Sequence, residues 1–591
     1  MIHFLPKHIA TKLYNGTTVG ILALLLFIGV DKVNAQIHID VPFTGPTKPD
    51  YVKVNGSYKP TLTASDGSDT DGNGWLRLTD CEKKQSGSII IDKEFPSVLG
   101  IIAEFEYKTW RKNNDTPIGD GFCVFLYDGA TASTNFKIGP YGASLGYAAE
   151  KKTGGAAGVS GGYVGVGFDE FGNFSSEGLL YGGLTGAATN HSIAVRGPSS
   201  TQNEYIGGTT SFLNVNSEQP NTTIGYTTPT NTRPTDDLFY RKARIILFPV
   251  IGPRGTPNNF TITVQLQTTK DGTWETILKD IQVGALPPQN LKIGFASSTG
   301  AAAAYHEIRN VKITTPVDFK ITKTAFNRSM QVINAVNANS DLINYQIEVS
   351  NIGKNNTAHH PIIISDILPR GLLLQTGSIS LTKKKGSVTQ FKITNKSTSA
   401  FEASLIVPVG ASGIISYQAK TNVTNKKTRA VVNAANLMLP NGFSAQNPEN
   451  NSSKSTLFIK PSLTNNDIEV CAGEQIKIDL TANPEDTNIT YKWDARTGRR
   501  PIYPTFKSRG QGAIITEVFS TLRKGDVIYT VIPTLTTSNG TEIVGNPKQF
   551  IVTVLPQTVK APDIKETFST PDPTINLNAT AATINWYTDA A

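Results

Sequence analysis

Asp120 stands between two glycines, directly before the apolar run 122–127. This arrangement predicts a carboxylate on a turn, with room for a ligand to approach the backbone closely. A ligand rich in neighbouring hydroxyl groups needs a rigid acceptor of this kind, nearby donors and an apolar plate for its C–H face. An ordinary hairpin aspartate would have the same neighbours, so both interpretations are open from these residues.

Residues 168–173 read Phe-Asp-Glu-Phe-Gly-Asn, and alternate positions in this run supply oxygen atoms. They are the Asp169 carboxylate, the Phe171 carbonyl and the Asn173 side-chain amide. Hard oxygen ligands at this spacing suit Ca²⁺. A strand that ends in an Asx turn would use the same residues, and that alternative is also open.

β-Strands are the elements expected to position these residues. The 591-residue chain contains 52 glycines and 33 prolines, with only 38% hydrophobic and 17% charged residues. Ser86–Asp92 is a β-branched run and Gly100–Lys108 alternates apolar with charged residues, while helical periodicity is absent. The composition excludes a coiled coil or helix bundle, and the recurring apolar runs exclude wholesale disorder. We expect an all-β chain.

The first 35 residues predict a signal peptide cut after Ala35. Lys7 and Lys12 precede the apolar run 19–30, which is followed by a small-residue cleavage site at 33–35. The run is shorter than a membrane anchor requires. We therefore expect a secreted or cell-surface protein with no membrane span after cleavage.

Charge and cysteine content limit the expected binding partners and the expected disulfide bonds. Lys plus Arg (55) minus Asp plus Glu (47) gives +8, but the basic residues are dispersed. The run 383–385 precedes Gly386 and is interpreted as a hairpin tip, so nucleic acid is not an expected partner. Three cysteines exclude a disulfide framework. Cys81 and Cys123 either pair, or Cys123 is an unpaired buried thiol.

Three segments, 118–127, 162–173 and 286–308, together resemble the L-type (legume-lectin-like) carbohydrate-binding family in its bacterial surface form. The resemblance covers residues 36–315 and implies a concanavalin-like jelly-roll sandwich. It implies that Asp120 accepts bonds from two sugar hydroxyls, that Phe171 stacks on the sugar and that Asn173 donates to it. In the family the peptide bond before this aspartate is cis, and the sequence leaves the state of Gly119–Asp120 open.

Two further loops belong to the same resemblance. The loop 142–147 resembles the one whose backbone N–H donates to the sugar, which places that donor at Ala143. The run 300–304 resembles the loop that sets monosaccharide specificity through backbone donors, although a short surface loop or helical turn would also account for four alanines. The predicted carbohydrate-binding residues are Asp120, Gly121, Ala143, Phe171, Asn173, Gly300, Ala301 and Ala302.

The resemblance implies a structural calcium ion held by Asp169, Phe171 and Asn173. The family's later calcium carboxylate is missing because Gly178 falls near its place, and Glu177 is the candidate substitute. Gly167 stands where legume lectins carry the glutamate of a second, transition-metal site. We therefore expect no second metal, and we interpret His191, at the position of that metal's histidine, as a strand residue.

The remainder of the chain predicts smaller modules. Residues 316–457 resemble an immunoglobulin-like bacterial surface repeat, through Val431–Ala435 and the segments 351–353 and 366–372. Residues 458–556 resemble the immunoglobulin-like or PKD-like modules of secreted Bacteroidetes-type proteins, through the segments 470–474 and 491–493. Residues 557–591 predict the start of a further, truncated module. We interpret these modules as spacers.

Three functions are open from the sequence. The leading one is a non-enzymatic, exported adhesin that binds glycans or polysaccharide and gains strength from multivalency. The second is a glycoside hydrolase on the same sandwich, for which Glu104 and Glu106 are the best carboxylate pair, although a solvated sheet face also accounts for them. The third is a structural surface protein whose lectin site has decayed.

Overall fold

The computed structural model describes residues 37–556, except 113–116, 152–154, 186–188, 210–222, 253–256, 356, 358–359, 500–505 and 521–523. The predicted signal peptide (1–35) and the predicted truncated module (557–591) lie outside the described residues. The chain divides into two compact units. The first comprises Met1–Phe319, Asn351–His360 and Leu439–Pro448, and the second comprises Lys320–Ser350, Pro361–Met438 and Glu449–Ala591.

The first unit is a sandwich of two large sheets. One has nine strands in the order β13-β12-β11-β6-β15-β4-β3, with β1 and β26 also paired to β15, and the other has seven in the order β10-β9-β8-β7-β14-β5-β2. The strands are β1 His38–Val41, β2 Val52–Gly56, β3 Thr61–Leu62, β4 Leu76–Asp80, β5 Ser86–Pro96, β6 Ile101–Trp110, β7 Gly121–Asp128, β8 Gly162–Asp169, β9 Ser192–Arg196, β10 Tyr205–Gly208, β11 Lys242–Ile251, β12 Pro257–Gln267, β13 Glu275–Gln282, β14 Asn290–Ser298, β15 Tyr305–Val317 and β26 Phe443–Ala445.

The seven-stranded sheet is buried on both faces. Alternate residues of β7 lie in two different apolar clusters, one on each face of the sheet. Phe122, Val124 and Leu126 point into the core between the two sheets. The intervening Cys123, Phe125 and Tyr127 point the other way, into a second apolar layer that includes Phe136 and several residues of 143–148. This second layer covers the outer face of the sheet and holds the loop that carries Ala143.

The second unit contains several smaller sheets. A five-stranded sheet (β16-β18-β24-β20, with β21 on β24) and a six-stranded sheet (β17-β27-β25-β19-β23-β22) are built from its first part. Those strands are β16 Phe319–Phe326, β17 Ala335–Val336, β18 Asn339–Asn351, β19 Ile362–Ile367, β20 Leu372–Leu374, β21 Ser380–Lys385, β22 Thr389–Lys396, β23 Ala400–Ile406, β24 Ser412–Asn422, β25 Ala430–Met438 and β27 Ser452–Ile459.

The last described part of the second unit has its own core, formed around Trp493, Tyr529 and Phe550. A six-stranded sheet (β29-β37-β35-β32-β33, with β36 on β35) and the pairs β28-β31 and β30-β34 enclose it. The strands are β28 Ser462–Leu463, β29 Ile468–Cys471, β30 Gln475–Asp479, β31 Ala482–Asn483, β32 Ile489–Thr497, β33 Arg509–Gln511, β34 Ile514–Val518, β35 Gly525–Thr536, β36 Glu542–Val544 and β37 Lys548–Leu555.

The all-β fold class is confirmed. The only helices among the described residues are four 3₁₀ turns, at Ser97–Leu99, Gly142–Ser144, Ser199–Thr201 and Pro448–Asn451. None of them is long and apolar enough to cross a membrane. The predicted boundaries at 315/316 and 457/458 fall inside β15 and β27, and the division into modules stays a prediction.

Candidate carbohydrate site

Strand register brings three of the predicted segments to one edge of the seven-stranded sheet. Gly121, the first residue of β7, is paired with Asp169 at the end of β8. On its other side, Gly121 is paired with Ser298 at the end of β14. Because these pairs are antiparallel, the loops that follow β8 and β14 flank Asp120, which directly precedes β7.

The backbone of Asp120 is held from both sides. The Gly119–Asp120 peptide bond is cis, as in the family that the sequence resembles. The Asp120 N–H donates to the Ser298 carbonyl (3.2 Å), and the Asp120 carbonyl accepts from the N–H groups of Glu170 (2.9 Å) and Phe171 (3.2 Å). The turn is therefore clamped between the two flanking loops rather than projecting as a free hairpin.

The Asp120 side chain is 4% exposed, and its Oδ2 atom has no hydrogen-bond partner among the described residues. Burial raises the pKa of Asp120 to about 6, against the opposing effects of the Gly300 N–H, His306 and Asn173, and Glu170 raises it further. A buried carboxyl with an uncommitted oxygen is poised to accept hydrogen bonds from a ligand. Such bonds would favour its ionised form.

Glycine at position 300 leaves room for this carboxylate. A Cβ atom on Gly300 would lie 2.8 Å from Asp120 Oδ2 and 3.3 Å from the Cα of Gly142. The Ser298 hydroxyl donates to the Gly142 carbonyl (2.9 Å), which ties the loop 142–147 to the end of β14. The loops at 120, 142 and 300 thus meet at one point.

Phe171 and Ala302 lie beside Gly119, the residue before Asp120. A Cβ atom on Gly119 would lie 2.9 Å from the Ala302 Cβ and 3.1 Å from the Phe171 Cβ. Phe171 is half-buried, Ala302 is buried and Ala301 is exposed. Segments that are distant in sequence therefore form one small-residue cradle around Asp120.

The backbone N–H donors predicted at Ala143 and in the loop 300–304 have different surroundings. Ala143 lies in the 3₁₀ turn Gly142–Ser144 and is 3% exposed, with its side chain in the second apolar layer. Within the loop 300–304, the Gly300 N–H donates to the Ala302 carbonyl (3.1 Å) and the Ala303 N–H donates to the Pro117 carbonyl (3.1 Å). The Ala303 N–H is committed to holding the loop, whereas the Gly300 N–H also acts on the Asp120 carboxylate.

Asp169 closes the loop that carries Phe171 and Asn173. It is fully buried, and its two carboxylate oxygens accept from the N–H groups of Gly172 (2.8 Å) and Phe174 (2.6 Å). Burial raises the pKa of Asp169 to about 7, these two N–H groups oppose the rise, and neighbouring Asp120 and Glu170 add to it. The side chain acts as an Asx-type cap, which was the alternative to a cation loop.

The same loop offers oxygen atoms of the type that calcium binds. Asn173 Oδ1 is buried and has no hydrogen-bond partner within the described part of the chain. Glu177 is exposed, in a turn beyond Asn173. Among the described residues, no group of three or more His, Cys, Asp or Glu side chains is placed to hold a metal. The donor types fit calcium, and the ligand set Asp169, Phe171, Asn173 and Glu177 stays a prediction.

The ring of Phe174 explains the glycine at position 167. A Cβ atom on Gly167 would lie 2.4 Å from two atoms of that ring. His191 lies one residue before β9, with φ at +52°, and its N–H donates to the Glu170 carbonyl (3.1 Å). The interpretation of His191 as a strand residue is therefore wrong by one position, because its left-handed backbone ends the preceding loop.

Arg196 is a positioning residue that sequence reasoning missed. Its side chain is fully buried at the end of β9, and burial lowers its pKa to about 10. The guanidinium donates to the carbonyls of Phe174 (2.7 Å), Tyr181 (2.6 Å), Asn203 (3.0 Å), Ser176 (3.2 Å) and Gly182 (3.2 Å). It thereby holds the segment 174–182 that continues the Asp169 loop. A lone arginine in the apolar strand 192–196 was the available signal.

Glu170 and His306 were also missed. Glu170 is 2% exposed, and its Oε2 atom lies 3.4 Å from Nε2 of the fully buried His306. His306 Nδ1 lies 2.7 Å from the Thr79 hydroxyl. This buried chain links the loop after β8 to the nine-stranded sheet behind Asp120.

The carboxylate pair suggested for a hydrolase is occupied by ion pairs. Glu104 accepts from Arg244 (2.6 Å) and Lys242 (3.1 Å), and Glu106 accepts from Arg309 (2.7 Å). Burial raises the pKa of Glu104, but Arg244 and Lys242 outweigh burial and the net pKa is lowered. A glycosidase acid needs the opposite shift.

No family model and no curated protein matches the chain. Similar solved structures include peanut lectin with a nine-residue peptide (15% identity, TM-score 0.30) and a Lotus tetragonolobus seed lectin isoform (16%, TM-score 0.30), each over 47% of this chain and 97% of that chain. A third is the VIP36 exoplasmic/lumenal domain in its Ca²⁺/Man-bound form, with 13% identity and a TM-score of 0.28 over 46% of this chain and 87% of that chain.

Proposed function

We propose that the first unit binds glycans through the cradle around Asp120, and that the protein is an exported, non-enzymatic lectin-type adhesin. The observation that carries the proposal is the buried Asp120 carboxylate, whose Oδ2 atom is uncommitted among the described residues and whose neighbours are glycine and alanine. An acceptor with space beside it suits a pair of sugar hydroxyls, and half-buried Phe171 offers an apolar face.

The surrounding contacts favour binding over catalysis. The clamp on the Asp120 backbone and the cap at Asp169 hold the cradle in one conformation, which lowers the entropic cost of capturing a ligand. The candidate hydrolase carboxylates Glu104 and Glu106 are paired with basic side chains instead. Reversible binding is weak at one site and gains from several copies on a surface.

Export and the role of the second unit complete the proposal. The predicted signal peptide at 1–35 supports secretion or display on the cell surface. The strand-rich modules after residue 315 would then serve as a stalk.

The glycan site is tested by binding of the purified full chain to a glycan array. Asp120→Asn keeps the side-chain volume and removes the charge, and Asp120→Ala removes the acceptor entirely. Both should abolish binding, while the exposed control Asp237→Ala should bind as the parent does. Circular dichroism melts would check that each variant is folded. Unchanged binding by folded Asp120→Ala would refute the site.

Calcium is the finer part of the proposal, with Asp169, the Phe171 carbonyl, Asn173 and Glu177 as its ligands. When bound, calcium would supply a fixed charge that holds the loop carrying Phe171 and Asn173. Calorimetric titration of calcium into chelator-treated protein tests this directly, and Asn173→Ala should weaken the binding. No heat of binding, together with unchanged array binding in chelator, would contradict the calcium site and leave the sugar site standing.

A further inference from the structure

A fully buried group of polar side chains lies inside the second unit. Lys323 is on β16 and Tyr417 is on β24, both in the five-stranded sheet. Asp366 is on β19 and Asn433 is on β25, both in the six-stranded sheet. The Lys323 and Asp366 side chains and Asn433 have no exposed surface, and Tyr417 is 1% exposed. The group therefore spans the two sheets.

The contacts within the group are continuous. Lys323 Nζ forms an ion pair with Asp366 Oδ2 and lies over the rings of Tyr345 (5.1 Å) and Tyr417 (5.5 Å). The Tyr417 hydroxyl donates to the same Asp366 oxygen (2.7 Å). Asn433 Nδ2 in turn donates to the Tyr417 hydroxyl (2.8 Å). The amine, the carboxyl and the amide are thus gathered around one phenol.

Strand register places the amide beside the carboxyl. Asp366 is paired with Ala435, and the next pair is Ile367 with Ala434. Asn433 is two positions from Ala435 and so shares the face of Asp366 as its diagonal neighbour, with Cα atoms roughly 7–8 Å apart in such pairs. Lys323 reaches this pair from the other sheet.

Not every polar atom of this group has a hydrogen-bond partner while the side chains remain separate. Asp366 Oδ1 and Asn433 Oδ1 have no hydrogen-bond partner within the described part of the chain. A buried ammonium has three donors, and its charge is costly to remove from water. Burial lowers the pKa of Lys323 to about 8 and raises the pKa of Asp366. Both shifts favour a neutral amine beside a neutral acid.

We infer that Lys323 Nζ forms an amide bond with Cγ of Asn433, with Asp366 as the proton carrier. The Lys323 ammonium first gives a proton to the Asp366 carboxylate. The amine lone pair then attacks Cγ, and the C=O π pair moves onto Oδ1. Asp366 donates its proton to Nδ2 and takes one from the attacking nitrogen. The carbonyl re-forms, the Cγ–Nδ2 bond breaks with its electron pair on nitrogen, and ammonia leaves.

The step balances without an oxidant or a co-reactant. An ammonium, a carboxylate and a primary amide become a secondary amide, a carboxylic acid and ammonia, with charge and hydrogen count unchanged. The product joins the two sheets covalently and removes the buried ion pair. A cross-link from β16 to β25 would keep the enclosed part of the chain closed when force is applied to it.

Intact mass spectrometry of the denatured full chain tests the inference. The parent protein should weigh one ammonia less than its sequence, and its digest should contain a branched peptide joining Lys323 to Asn433. Asn433→Ala and Asp366→Asn should each show the full sequence mass, while Asn436→Ala, exposed on the same strand, should keep the ammonia loss. Circular dichroism would confirm that each variant is folded.

Three results would overturn the inference. One is a parent protein that keeps its full sequence mass after prolonged incubation at neutral pH. Another is a loss of water with a branched peptide joining Lys323 to Asp366, which would make the carboxyl the acyl partner. The third is an ammonia loss that persists in folded Asn433→Ala, which would place the lost nitrogen elsewhere.

Discussion

Replacing Gly300 with alanine tests the cradle around Asp120 more finely than deleting the carboxylate. The added Cβ would lie 2.8 Å from Asp120 Oδ2 and 3.3 Å from the Gly142 Cα. Real Cβ atoms do not approach an oxygen so closely, so the carboxylate or the loop must move. Gly377→Ala is the matched control because its Cβ would have no neighbour within 4 Å.

The expected effect follows from the bonds that a displaced carboxylate loses. A hydrogen bond to a charged group contributes about 1.5–3 kcal/mol, so losing one should weaken glycan binding roughly tenfold to hundredfold. Overpacking should lower the free energy of unfolding by about 1–3 kcal/mol. The fold should therefore survive while affinity falls, and Gly377→Ala should change neither.

Calorimetry with the best array ligand, in parallel with urea unfolding, separates the two effects. If the methyl group acts through the carboxylate, Gly300→Ala should weaken binding in the otherwise unchanged chain. Its cost in unfolding free energy should largely disappear in the Asp120→Ala background, where the carboxylate is absent. Unchanged affinity in folded Gly300→Ala would refute the geometry of the cradle. The full unfolding cost of Gly300→Ala in the Asp120→Ala background would show that the methyl group acts elsewhere.

Three further predictions concern Arg196, Glu307 and Cys123. Arg196→Lys keeps the charge but loses the planar guanidinium with its five N–H donors. The substitution should cost about 1–3 kcal/mol of unfolding free energy and speed amide hydrogen exchange in residues 174–182. Glu307→Ala removes the buried partner of two half-buried arginines, Arg77 and Arg233, of which Arg233 keeps Asp69. It should cost about 1.5–3 kcal/mol in urea unfolding, whereas exposed Glu94→Ala should change the free energy of unfolding by no more than about 0.5 kcal/mol. Burial raises the pKa of Glu307, but its arginines outweigh burial and lower the net pKa. The contribution of Glu307 to the free energy of unfolding should therefore be present above about pH 4.3 and be lost as the pH falls through the lowered pKa. A difference in stability between parent and Glu307→Ala that stays unchanged at low pH would contradict this. The thiols of Cys81, Cys123 and Cys471 are unpaired, and burial raises the pKa of Cys123, so Cys123 should react with a thiol reagent only after unfolding.

Local patterns predicted the parts of the site that lie within single segments. Asp120 between two glycines indicated a constrained turn before a strand, and the structure has β7 beginning at Gly121. The oxygen-bearing run at 169–173 left a calcium loop and an Asx turn open, and Asp169 makes the Asx-type contacts with Gly172 and Phe174. Both are short-range features, since the atoms involved are a few residues apart.

Contacts between distant segments were beyond local patterns. Nothing near Gly167 in the sequence shows that the Phe174 ring would fill the space beside it. The five carbonyls bound by Arg196 come from two loops, and the His306 ring meets Glu170 from the other sheet. Such partners depend on which strands pair and in which register. The two-residue alternation of apolar and polar positions within a strand does not determine either.

The amino-acid sequence by itself determined the all-β class, the turn at Asp120 and the oxygen-rich loop after it, because composition, two-residue alternation and glycine placement act over a few neighbouring residues. The family resemblance grouped Phe171, Gly300 and Ala302 with Asp120, but only the tertiary structure supplied the contacts between them. Only the tertiary structure decided that Lys323, Asp366 and Asn433 meet out of water. Burial and pKa shifts arise from long-range packing. The chemistry of both sites therefore exists only once the sheets have closed.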